Sequence, residues 1–182
     1  MSTVNIEVVV DAQTIYNTYQ SNLGSFASPT PIAHEYIYMV TQPVFVTSTT
    51  PTTQATADLN ITCNVGDNVR WTFSTLSQEV AMYALPYQIS TFAGTNVMST
   101  PLPIMLQPDE PIMTLPVPAA GPAYTGATQY DYIMQATITN NDAGTAEQYK
   151  VYFMLVQASS SGGLTTVGYF SWDPTITVNP PA

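Results

Sequence analysis

Asp58 to Leu76 reads DLNITCNVGDNVRWTFSTL, two alternating apolar runs on either side of a tight turn signal. Leu59, Ile61, Cys63 and Val65 share one side of the first run, and Val69, Trp71 and Phe73 share one side of the second. A period of two belongs to a half-buried strand, so the stretch predicts strand, turn, strand. Gly66-Asp67 has the form of a two-residue II′ hairpin loop, but register forbids it. Such a loop pairs Val65 with Asn68 and Cys63 with Arg70. The apolar positions of one strand would then share a face with the polar positions of the other. Either a bulge near Gly66 restores parity, or the chain crosses from one sheet to a second so that both apolar faces look inward. We favour the crossing, which makes the chain an all-β, two-layer antiparallel β-sandwich of Greek-key or jelly-roll type.

The flanking sequence fits that architecture. Thr3 to Val10 is a strand, and Asp11 is a good N-cap for a short helix carrying Ile15, Tyr16 and Tyr19 at helical spacing. Ser21 to Pro31 is a loop; Tyr36 to Val40, apolar on both faces, is expected as a central strand. Pro43 to Ala57, rich in Thr and Pro, reads as an edge segment or an excursion. Glu79 to Tyr87 fits a strand or a short helical turn equally. Ser90 to Pro118 carries six prolines, which rules out a long helix and predicts edge or loop structure with Asp109 and Glu110 at a turn. Pro122 to Thr128 is expected as a loop. In Gln129 to Thr139, Tyr130, Tyr132, Met134, Ala136 and Ile138 share a face; Gln148 to Gln157 alternates likewise. With Asn140 to Gly144 between them, these two read as a hairpin in the sheet centre. Thr165 to Trp172 and Thr175 to Val178 supply closing strands. Residues 1–182 are expected to form one domain without internal repeats.

Composition excludes several classes of function. Charged residues are only 8% of the chain, against a typical figure of about 25%. Arg70 and Lys150 face twelve carboxylates, for a net charge of −10. Two separated cations cannot make the basic patch that nucleic acid or an anionic membrane surface requires, so neither is an expected partner. No apolar stretch is long enough for a transmembrane helix. The amino-terminal run, interrupted by Asn5 and Glu7 and lacking a basic region, is a strand rather than a secretory signal. A native start there would place the protein in the cytoplasm.

No catalytic, cofactor or metal residue stands out. Cys63 is the single cysteine and faces inward, so it reads as a buried small hydrophobe. His34 is the single histidine. A type-I copper site needs two His beside its Cys, and no nucleophile elbow accompanies His34 for Ser or Cys catalysis, so it reads as a loop or strand-edge residue. Asp109-Glu110 and Asp142 lack the ligand spacing of a calcium loop and read as solvated turns. There is no GxxxxGK or GxGxxG segment for nucleotides. Eight methionines, among them Met39, Met82, Met98, Met105, Met113, Met134 and Met154, fill the core. Trp71, Trp172, Phe170 and Tyr169 read as core or interface anchors before they read as platforms for a sugar ring.

Four segments in order, VNIEVVVDAQTI from Val4, YIYMVT from Tyr36, ADLNITCNVGDNVRWTFSTLS from Ala57 and VGYFSWDPTITV from Val167, together resemble the bacterial PixA/AidA family of inclusion body proteins. The resemblance implies a cytoplasmic inclusion protein linked to host association or quorum sensing. No catalytic residues attach to those motifs, so none is carried over. The expectation is a non-enzymatic protein that associates with itself as a dimer or larger array, its neutral polar surface and strand edges favouring contact. The alternative is a carbohydrate-binding module or lectin on the same sandwich; a hydrolase comes third.

Overall fold

The computed structural model describes residues 1–47, 52–77, 81–113, 124–141, 147–159 and 162–178. The elements are β1 (Thr3–Val10), α1 (Ala12–Thr18), β2 (Thr30–Pro31), β3 (Ile37–Val40), β4 (Ile61–Cys63), β5 (Asn68–Thr75), β6 (Met82–Ala93), β7 (Leu102–Leu106), β8 (Asp109–Met113), β9 (Tyr124–Thr128), β10 (Asp131–Thr137), β11 (Glu147–Ala158), β12 (Leu164–Trp172) and β13 (Thr175–Val178). One sheet has the order β3-β1-β5-β10-β7. In the other, β12 and β13 follow each other along one side of β11 in a single register (Val151↔Trp172, Gln148↔Thr175), and β6 takes the opposite side. The short strands β2 and β4 complete it.

The turn between β4 and β5 is the predicted crossing, since β4 lies in one sheet and β5 in the other. Gly66 has φ +93°, a conformation that suits glycine, and the Asp67 amide closes the turn on the Asn64 carbonyl at 3.0 Å. Asp67 is buried and bonds twice: the Ser2 amide donates to its Oδ1 at 2.6 Å and the Asn64 amide to its Oδ2 at 3.0 Å. Leu59, Ile61 and Cys63 face inward as expected, but Val65 sits on the turn and is 47% exposed. The Asp11 side chain caps α1 by accepting from the Thr14 amide.

Between the layers lie Trp71, Trp172, Tyr149, Phe153 and Phe170, all fully buried. Trp71 Nε1 donates to the Tyr149 hydroxyl at 3.2 Å, one hydrogen bond joining the two sheets. Cys63 is a buried thiol that donates to the Thr177 carbonyl. Met39, Met82, Met98 and Met134 are in the core, while Met105 is exposed.

The two-layer all-β sandwich with one short helix after the first strand holds, but its pairing is not antiparallel throughout. β1 runs parallel to β5, β2 to β12 and β4 to β13. The β1–β5 register sets Val4, Ile6 and Val8 opposite Val69, Trp71 and Phe73, so two apolar faces coincide. Several segments differ from expectation. Tyr36 to Val40 is not central: β3 lies at the sheet edge. Its continuous apolarity suits an edge covered by the chain before β4, for the Met39 amide donates to the Thr56 carbonyl and the Ala55 amide to the Met39 carbonyl. The Glu79 to Tyr87 segment becomes part of β6 from Met82 onward, with Pro86 opposite a register shift in β11, where a missing N–H is tolerated. Residues 124–128 form a strand rather than a loop, pairing with β8, so Asp109 and Glu110 begin a strand rather than make a turn. Finally, β10 and β11 are not a hairpin, because they belong to different sheets. Each is apolar on one face because each lines the same core from its own side.

Candidate functional site

A groove of about 620 Å³ lies on the outer side of β6. Tyr87, Ser90 and Thr91 come from the strand, Asn96 and Ser99 from the chain that follows it, and Phe26 from the Ser21–Pro31 loop. That loop is pressed against β12: the Tyr169 amide donates to the Leu23 carbonyl at 2.7 Å, and Thr30 Oγ1 donates to the Asn22 carbonyl at 2.9 Å. Gly24, at φ +66°, lies where a Cβ would collide with the Tyr169 carbonyl oxygen and the Thr30 amide, so only glycine lets the loop lie this close. Reciprocal Ser25–Ser28 backbone hydrogen bonds then turn the chain and leave Phe26 66% exposed at the tip.

Phe26 caps a group of aromatic rings. Its centroid is 5.2 Å from Tyr87 and 6.2 Å from Tyr169, and Tyr87 is 6.2 Å from Tyr152. The Tyr87 hydroxyl is shut off from solvent and has no hydrogen-bond partner among the described residues. Burial pushes its pKa up, and Tyr152 and Tyr169 push in the same direction. The groove therefore offers an apolar ring flanked by neutral hydroxyl and amide groups among its described lining residues. Tyr169 lines this outer cluster, whereas Trp71, Trp172 and Phe170 are buried in the core. Phe26 and Tyr87 escaped the sequence reading. The signal for Tyr87 was the alternation in Met82 to Tyr87, where Met82, Ala84 and Pro86 turn inward.

A second cluster surrounds His34, which stands on a 3-10 turn, His34–Tyr36. Its Nδ1 is 2.8 Å from Asp58 Oδ1 and its Nε2 is 3.2 Å from Asp173 Oδ1. Partial burial opposes the charge, but the Asp58 and Asp173 hydrogen bonds outweigh it and raise the imidazole pKa. Both ring nitrogens are occupied by carboxylates, which favours the imidazolium and leaves neither nitrogen available as a general base. Glu147 is fully buried and held by neutral donors, Thr91 Oγ1 at 2.7 Å and the Val97 amide at 2.8 Å. It ties the start of β11 to the end of β6 and the chain beyond. Asp109 accepts from Thr128 Oγ1 at 2.8 Å; Asp142 lies outside the described residues. Among the described residues, no three His, Cys, Asp or Glu side chains are grouped to hold a metal ion. Among them, too, no helix is long and apolar enough to cross a membrane.

The third feature is a ribbon. β7 pairs with β10 from Leu102↔Gln135 to Leu106↔Asp131, and the same register runs on through β8 and β9 from Asp109↔Thr128 to Met113↔Tyr124. Beyond the sheet, β8 and β9 pair only with each other among the described residues. Exposed apolar side chains follow this hairpin: Leu102, Met105, Ile112, Tyr124 and Tyr130.

Fold and surface together define a mixed-β sandwich with an aromatic groove and an extended apolar ribbon. The family profile described as PixA, inclusion body protein, matches residues 2–178, and the chain belongs to that family. The crystal structure of an inclusion body protein (PixA) from Burkholderia cenocepacia J2315 has the same fold, with a TM-score of 0.79 at 18% identity over 98% of this chain and 96% of that one. No curated protein sequence matches the chain.

Proposed function

We propose that the chain is a non-catalytic inclusion body protein that associates with itself in the cytoplasm, in the host-linked or quorum-sensing setting that its family resemblance implies. The observation that carries this reading is the β8–β9 ribbon, which among the described residues has no further sheet partner and leaves Ile112 46% and Tyr124 75% exposed. Exposed apolar strands are a liability that folded proteins usually cover. A surface poor in Lys and Glu supports the reading, because fewer long side chains lose rotamer freedom on contact. Sedimentation of the purified chain at rising concentration near neutral pH, with electron microscopy of expressing cells, tests it. Mass should climb in multiples of the monomer and bounded granules should form. A monomer at every concentration, in cells without granules, overturns the proposal.

The groove beneath Phe26 supports a second reading, a lectin. An exposed ring suits the apolar face of a sugar, and Ser90, Asn96 and Ser99 offer neutral partners for its hydroxyls. A glycan array probed with the same preparation separates the two readings: a monodisperse dimer that retains a glycan is the lectin outcome.

A further inference from the structure

On the outer side of the second sheet, Lys150 Nζ lies 4.4 Å from the centre of the Phe92 ring. Phe92 is 54% exposed. Among the described residues the ion pairs are those of His34, so the Lys150 charge meets an aromatic face and no described carboxylate. The other fixed cation, Arg70, donates through Nε to Gln135 at 2.6 Å and is half-buried. Copies of a chain with charge −10 repel each other over most of their surface. A contact between copies is favoured where a half-buried cation lies beside an exposed apolar ring, and the Lys150–Phe92 patch is such a place.

The ribbon carries the complement. Glu110 and Ile112 are two residues apart on β8 and so share one face of it. Both are exposed, and their cross-strand neighbours Ala127 and Thr125 are small. Asp109 points to the opposite face, engaged with Thr128. We propose that the β8–β9 ribbon of one copy docks on the Lys150–Phe92 face of the next, Ile112 against the Phe92 ring and the Glu110 carboxylate against the Lys150 ammonium. The two surfaces are different parts of the chain, so the contact is head-to-tail. A row of copies keeps one free ribbon at one end and one free face at the other, so it grows by addition at its ends unless the rotation between copies closes it into a ring.

This inference rests on the self-association reading, and charge exchange tests it separately. Glu110→Lys gives copies with a basic ribbon and a basic face; Lys150→Glu gives copies with both acidic. Each variant alone should associate at least about tenfold more weakly than the native chain, since like charges now meet at the contact. Their equimolar mixture should recover association, because every ribbon again finds a face of opposite sign. Ile112→Ser, a change on the exposed ribbon, should weaken association without altering charge. Circular dichroism identifies any variant that misfolds. If Lys150→Glu does so, Lys150→Gln replaces it, with weakened association expected and native-strength association overturning the docking. If the native chain associates but Glu110→Lys and Lys150→Glu associate equally well, or their mixture restores nothing, the ribbon-to-face contact is wrong while self-association stands. A native chain that stays monomeric removes both.

Discussion

Asp67 looks in the sequence like one more turn-former, yet it is 3% exposed and its two oxygens hold the amides of Ser2 and Asn64. It thus fixes the start of β1 to the crossing between sheets. Removing a buried acceptor leaves donors without partners, at a cost of about 1–3 kcal/mol. Asp67→Ala should lower the stability measured by urea unfolding by that order, and an unchanged midpoint would show that the bonds contribute nothing. Parity along the strand was enough to place Cys63, Trp71 and Ile61 inside. It misplaced Val65, because alternation ends where the chain turns and the sequence does not mark that point to the residue. The aromatic cap made by Phe26 was hidden for another reason. It depends on Gly24 lying against the Tyr169 carbonyl, a contact between distant parts of the chain that no local pattern encodes.

At the scale of elements, His34 joins three of them: its own 3-10 turn, the chain before β4 through Asp58, and the β12–β13 connection through Asp173. Its pKa is raised in the folded state from the ordinary 6.5. The stabilisation is therefore complete below that ordinary value and disappears as pH rises through the higher folded value. His34 is 40% exposed and Asp58 61%, so solvent screening holds the effect below about 1 kcal/mol. His34→Gln should melt earlier than the native chain at about pH 6 and at the same temperature near pH 9, where both side chains are neutral. A gap in melting temperature that is constant with pH would assign His34 a packing role instead. Strand identity was legible for β1, β5, β10, β11 and β12, whose alternation is long. Which strands pair was not. β10 and β11 are close in sequence and alternate alike, features that a hairpin and a crossover share. Pro86, Pro103 and Pro111 lie inside strands. They reduced the strand signal of β6, β7 and β8 because a proline is tolerated wherever its missing N–H faces no partner.

For the whole molecule, twelve carboxylates against two fixed cations make charge the main long-range force between copies. Lowering pH from neutrality toward the pI of about 4.1 removes that repulsion while the apolar ribbon remains. The sedimenting mass at fixed concentration should rise along that path, and a mass that stays constant or falls would show that repulsion does not limit association. The two-layer class was readable because one turn, Asn64 to Asp67, could not be a hairpin; the parallel β1–β5 pair was not, since nothing local announces a partner more than sixty residues away. That pair has a consequence during synthesis. At about 5–20 residues per second, several seconds separate the emergence of β1 from that of its parallel neighbour. For that interval Val4, Ile6 and Val8 have at most β3 beside them. Forced overproduction should therefore raise the number of chains whose first sheet is still incomplete, with Val4, Ile6 and Val8 open to the wrong partner.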